Sequence, residues 1–122
     1  MVKVLIVDDE EPILSLLSAI VSSMPEYTIV LARDGQEAID TAIVEKPDIM
    51  LLDNRMQGMS GLEVCRAIKS NPLLAHTRIL MLSCQGQNFD WQLAKELGAE
   101  GYLTKPFDTT VLMDKVKELT KS

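Results

Sequence analysis

Short apolar runs alternate along this chain with stretches whose apolar residues recur every three to four positions, and the alternation continues to the end. Val2–Val7 is β-branched and almost uninterrupted, as in a strand covered on both faces. Glu11-Pro12 then opens a helix, proline being suited to the first turn, and Met24-Pro25 ends it. Its predicted buried stripe is Ile13, Leu16, Leu17, Ile20 and Met24. Further strands are predicted at Tyr27–Ala32 and at 49–52, 78–82 and 101–103, with Arg33-Asp34-Gly35 as a turn. The second helix is predicted over 36–45, with Ala38, Ile39, Ala42 and Ile43 inward. The third follows a loop at 58–61, buries Leu62, Cys65 and Ile68, and breaks at Asn71-Pro72. The fourth, over 89–97, uses Phe89, Leu93, Ala94 and Leu97, with Gly98 as its cap. The fifth begins at 108–110 and buries Val111, Leu112, Val116 and Leu119. Five such units imply a parallel sheet with right-handed crossovers and helices on both faces, an α/β sandwich. At 122 residues the chain is expected to be one domain, 1–122.

The apolar runs end on chemically distinctive residues. Val4-Leu5-Ile6-Val7 leads into Asp8-Asp9, Ile49-Met50-Leu51-Leu52 into Asp53, Ile79-Leu80-Met81-Leu82 into Ser83, and Gly101-Tyr102-Leu103-Thr104 into Lys105-Pro106. Parallel strands would gather three carboxylates, a hydroxyl and an ammonium on one sheet edge, where open α/β sheets bind ligands. Acids do favour helix N-termini, which accounts for Glu10 and Glu11. It does not account for Asp53 at the end of another strand. Three close carboxylates repel, so one should have its pKa raised unless a cation joins them. Mg²⁺ suits such a set together with a phosphate oxygen. Beside it Asp53 can act as a nucleophile toward phosphorus. Lys105 can pair with one phosphoryl oxygen, and the Ser83 hydroxyl can bond another.

Composition narrows the alternatives. Apolar residues make up 47% and charged residues 25%, which argues against disorder. A net charge of −6 disfavours non-specific nucleic-acid binding. No apolar run approaches the ~18 residues of a membrane span. Met1 leads straight into a strand-like segment, so no removable leader and a cytoplasmic location are expected. Cys65 and Cys84 are expected to be reduced thiols, and His76 a surface loop residue rather than a zinc ligand.

With these residues in view, the chain resembles, over its full length, the receiver domains of two-component response regulators. The matching residues are Asp8-Asp9, Asp53-x-x-Met56-x-x-Met59-x-Gly61, Ser83 and Lys105-Pro106-Phe107. Singly these are weak; in this order and spacing they are specific. The resemblance implies a flavodoxin-like (βα)5 three-layer sandwich with its parallel strands in the order 2-1-3-4-5. It implies that Asp53 accepts phosphate from a phosphohistidine of a sensor histidine kinase or phosphotransfer protein. Mg²⁺ would be held by Asp8, Asp9, Asp53 and the Arg55 backbone carbonyl, with Ser83 and Lys105 on the phosphoryl group. Lys105-Pro106 would be cis. Ser83 and Tyr102 would form the switch, Tyr102 turning inward as Ser83 moves to the phosphoryl group. The surface of helix four, strand five and helix five would then signal to a downstream target or a fused output domain, or pair two copies of the chain. Such a switch catalyses only its own phosphorylation and dephosphorylation.

Some positions depart from the family pattern. Asn54 stands where an aliphatic residue is usual, Gln57 replaces a proline, and Cys84 an alanine. Loss of the proline is expected to free the Gln57-Gly58 segment, and Arg55 to set phosphate lifetime by shielding or orienting the hydrolytic water. Trp91 falls off the helix-four stripe, so partial exposure beside Phe89 and Gln87, as a partner contact or a packing residue, is expected. Other classes fit less well. A dehalogenase-like phosphohydrolase would need a second Asp where Arg55 stands, and a flavodoxin-like electron carrier a phosphate loop where Asp8-Asp9-Glu10-Glu11 stands. A degenerate receiver serving only as a binding module would not need the intact acids, Ser83 and Lys105.

Overall fold

A computed structural model describes residues 2–84 and 89–121. Five strands alternate with five helices: β1 (Val2–Val7), α1 (Glu11–Ser22), β2 (Tyr27–Ala32), α2 (Gly35–Glu45), β3 (Ile49–Asp53), α3 (Gly61–Ser70), β4 (Arg78–Cys84), α4 (Trp91–Glu96), β5 (Gly101–Lys105) and α5 (Thr109–Thr120). The strands form one parallel sheet in the order β2-β1-β3-β4-β5. Both the fold class and the strand order are as expected.

Side-chain alternation along the strands divides the core into two layers. Leu5, Val7, Met50, Leu52, Ile79 and Met81 pack against Ala38 and Ala42 of α2, Val64, Cys65 and Ile68 of α3, and Ala94 of α4. Val4, Ile6, Ile49, Leu51, Leu80 and Leu82 face the other way, onto Leu14, Leu17 and Val21 of α1 and Leu112, Met113 and Val116 of α5. Each such fully buried aliphatic side chain contributes roughly 1.5–3 kcal/mol. The three central strands, buried on both faces, are therefore the firmest scaffold from which to project a site.

Several predicted details shift. β3, β4 and β5 run on to Asp53, Cys84 and Lys105, so the chemical residues sit at or next to the strand ends. The α1 stripe is Leu14, Leu17 and Val21, while Leu16 is exposed. Apolar residues surround much of that helix, so periodicity alone did not fix its phase. In α5 Met113 is buried and Val111 exposed, and Ile43 of α2 is also exposed. α4 starts at Trp91 because Asp90 caps it, accepting from the Leu93 N–H. Only Ala94 of that helix is fully buried; Leu93 is exposed. Gly98 follows the helix with φ +107°, as its predicted capping role requires.

Candidate functional site

Strand register assembles the site. Val7 pairs with Leu52 across β1 and β3, so Asp8 and Asp53 follow at the same level of adjacent strands. Asp53 pairs with Leu82, which places Ser83 one residue beyond it on β4, and Cys84 pairs with Lys105 on β5. Gly61 completes the edge by letting α3 start close to β3. A Cβ there would lie 2.5 Å from the Asp53 carbonyl oxygen. A Ser60–Glu63 capping box fixes that helix start.

The Lys105 ammonium donates to Asp8 Oδ2 and to Asp53 Oδ1, each at 3.0 Å. Asp8 is completely buried, Asp53 is 3% exposed, and Ser83 is buried beside them. Asp8 Oδ1 also accepts the Glu10 N–H at 2.9 Å, which fixes its carboxylate. Exposed Asp9 accepts the Gln57 N–H at 3.3 Å. The Lys105–Pro106 bond is cis, as the resemblance implied.

Burial raises the Asp53 carboxyl to about 6; the hydrogen bond and charge of Lys105 oppose this, and the charges of Asp8 and Asp9 add to it. One acid was expected to be raised by repulsion; desolvation proves the larger cause. Burial pushes the Lys105 ammonium down, but its hydrogen bonds to Asp53 and Asp8, and their charges, outweigh that and raise it. One ammonium thus faces more carboxylates than it can neutralise.

Among the described residues, carboxylate oxygens of Asp8, Asp9 and Glu10 lie within 4.8 Å of one another and could hold a metal ion. Hard carboxylate donors fit Mg²⁺. Asp53 lies outside that trio, with its Oδ1 engaged by Lys105. Glu10 was assigned only to the helix dipole from sequence. Its side chain makes no capping hydrogen bond although it occupies the N-cap of α1, so its carboxylate is available to the cluster. Gln57 was expected only to loosen its loop. Its N–H instead ties that loop to Asp9, a bond that proline could not make. Arg55 is exposed.

Tyr102 is 40% exposed and faces the α4 side, opposite to Leu103. Its ring lies 4.7 Å from that of Trp91 and 5.7 Å from that of Phe89. Trp91 is partly buried against the core, so the partial exposure expected from its position off the stripe is found, with the ring packed. Gln87 lies outside the described residues. On the other sheet face, a largely apolar cleft of about 430 Å³ beside Lys105 is lined by Ile13, Leu16, Cys84 and Phe107 among others.

The family description "response regulator receiver domain" matches residues 4–117. The chain belongs to that family. It is thus a receiver domain of two-component response regulators, a signalling switch. It is 39% identical over 119 residues to the alkaline phosphatase synthesis transcriptional regulatory protein PhoP of Bacillus subtilis (strain 168), a match covering 98% of this chain and 48% of that protein. The receiver domain therefore spans about half the length of this curated relative. Among solved structures, the chemotaxis protein CheY4 of Vibrio cholerae is similar, with TM-score 0.89, 32% identity and 98% of each chain covered. The signal receiver domain of a DNA binding response regulator (merR) from Colwellia psychrerythraea 34H aligns with TM-score 0.91 at 28% identity, covering 100% of each chain. No helix among the described residues is long and apolar enough to cross a membrane.

Proposed function

We propose that residues 1–122 act as a single cytoplasmic receiver domain that takes a phosphoryl group onto Asp53 from a phosphohistidine of a sensor histidine kinase or phosphotransfer protein. An Asp53 carboxylate oxygen forms the new bond to phosphorus, the phosphorus–nitrogen bond breaks, and the imidazole nitrogen keeps the electron pair. Asp8, Asp9, Asp53 and the Arg55 carbonyl, with Glu10 beside them, would hold Mg²⁺. When bound, that ion supplies a positive charge for phosphoryl oxygens and for the crowded acids. Lys105 exchanges one of its carboxylate partners for a phosphoryl oxygen, and the Ser83 hydroxyl bonds another. The protein turns over no metabolite.

Ser83 and Tyr102 then carry the signal. Tyr102 pairs with Met81 in register, so Ser83, two residues on, is its diagonal neighbour on the same sheet face. Withdrawal of Ser83 toward the phosphoryl group leaves space for the Tyr102 ring, and the α4–β5–α5 face changes. That face addresses a downstream protein or a fused output domain, and two copies of the chain can pair through it.

The observation that carries this reading is the bridge of Lys105 between two buried aspartates, 3.0 Å from each. Intact-mass measurement after incubation with acetyl phosphate tests it. One added phosphoryl group that needs both Mg²⁺ and Asp53, and is lost in Asp53→Asn, is expected. Folded protein that gains none would leave a protein-binding module instead.

A further inference from the structure

Three of the chain's five aromatic residues, Phe89, Trp91 and Tyr102, meet at one point, and that point is the proposed switch. β5 is an edge strand, and α4, six residues long, buries only Ala94 completely. The body of the helix therefore leaves the Tyr102 ring to be covered from the chain before and at its start. Trp91 is the first residue of α4, set in place by the Asp90 cap, and Phe89 directly precedes that cap. The Trp91 ring lies 4.7 Å from the Tyr102 ring with planes inclined by 35°, and Phe89 flanks it at 5.7 Å and 44°. Both separations are those of attractive aromatic pairs.

We propose that Trp91, with Phe89, is a clamp that holds Tyr102 outward and so restrains the switch; this rests on the receiver function proposed above. The inward position of Tyr102 gives up at least part of the stacking. Every phosphoryl-like ligand that favours the inward state must then work against the clamp. Linkage makes the restraint measurable from the phosphoryl site, because whatever releases Tyr102 tightens binding there by the same factor. One aromatic pair of ordinary strength corresponds to about a 2- to 10-fold change.

The test is beryllofluoride binding in the presence of Mg²⁺, followed by fluorine NMR on the full chain. Trp91→Ala should bind about 2- to 10-fold more tightly than the parent, with Trp91→Phe between them. In a Tyr102→Leu background the same Trp91→Ala change should have no effect, which a merely structural role for Trp91 would not produce. In the parent, Trp91 emission should shift as the analogue binds. Unchanged or weaker binding in Trp91→Ala, or an equal gain without Tyr102, would overturn the clamp. If those results come with normal Asp53 phosphorylation by acetyl phosphate, the clamp alone fails. If the parent neither binds the analogue nor is phosphorylated, the receiver reading fails and the clamp with it.

Discussion

Two lysines sit in carboxylate-bearing niches at opposite edges of the same sheet, and they are opposites in electrostatic design. Before the N-terminal end of β4, Lys69 donates to the Thr77 carbonyl at 2.6 Å, the Ala75 carbonyl at 3.3 Å and Glu100 Oε2 at 2.8 Å. Glu100 Oε1 accepts the Ile79 N–H at 2.7 Å and the Arg78 guanidinium lies 3.7 Å from Oε2, so this one carboxylate is met by two cations and a backbone donor of the fold itself. At the C-terminal edge Lys105 meets both Asp8 and Asp53, with Asp9 and Glu10 close to Asp8. The first niche is balanced within the fold. The second carries an anionic excess that something from outside can relieve; the Asp53 carboxyl there is raised chiefly by burial, and the charges of Asp8 and Asp9 add to it. A buried ion pair alone is therefore no sign of function; the imbalance is.

The most severe way to break this contrast is Lys105→Met. Phosphorylation of Asp53 by acetyl phosphate should fall about 100-fold or more, since one charge-stabilising donor is lost. The buried aspartates left behind should lower stability, and Mg²⁺ should restore part of it. Lys69→Met should instead cost about 1–3 kcal/mol in urea unfolding, with Glu100 left only the exposed Arg78 as counter-charge and two carbonyls losing their donor. Mg²⁺ should not rescue it, and phosphorylation of the remaining folded protein should be near normal. Rescue of both variants by Mg²⁺, or of neither, would erase the distinction.

A gentler probe uses the thiols, one near each lysine. Burial pushes the Cys65 thiol up to about 11, with Lys69 opposing and Glu100 adding. Its thiolate stays scarce as pH rises to about 9. Cys84 is partly exposed and lines the cleft beside Lys105. One equivalent of iodoacetamide should label Cys84 in the native protein and leave Cys65 until unfolding, as peptide mapping would show. Equal labelling would mean that the Lys69 niche opens readily. Smaller still, Arg55→Ala should shorten aspartyl-phosphate lifetime a few-fold; equal lifetimes would remove Arg55 from that role.

The contrast also explains what could be read from the sequence. Asp8, Asp53, Ser83 and Lys105 were identifiable because strand ends are written in short apolar runs; the strand order came from the family resemblance, and parallel register then leaves little freedom in where the ends meet. Helix phase was less readable. In α1 the apolar residues Ile13, Leu14, Leu16, Leu17, Ile20 and Val21 leave two faces competing, and the sheet buries Leu14, Leu17 and Val21. The partial exposure of Trp91 was legible from its place off the helix stripe, but its ring partner was not, because α4 begins later than its apolar pattern suggests and the ring packs on a strand. The Lys69–Glu100 niche was invisible, since its partners are backbone groups and a glutamate thirty-one residues away. Glu10 and the Gln57 N–H join the acidic cluster through local backbone geometry that no residue pattern encodes.

The most direct test of the imbalance is the unfolding free energy of the parent and Asp53→Asn at neutral pH, with and without Mg²⁺. Asp53 has a folded pKa of about 6, above the ordinary carboxyl value of 3.8. Its ionisation therefore costs stability that begins to be lost as pH rises past the ordinary value and is fully lost above about 6. Without metal, Asp53→Asn should be more stable than the parent by about 1–3 kcal/mol at neutral pH, and the gap should close toward about pH 4. With Mg²⁺ the parent should gain more than the variant. A parent more stable than Asp53→Asn without metal, or equally stabilised by it, would mean that Lys105 already balances the site, contradicting the account.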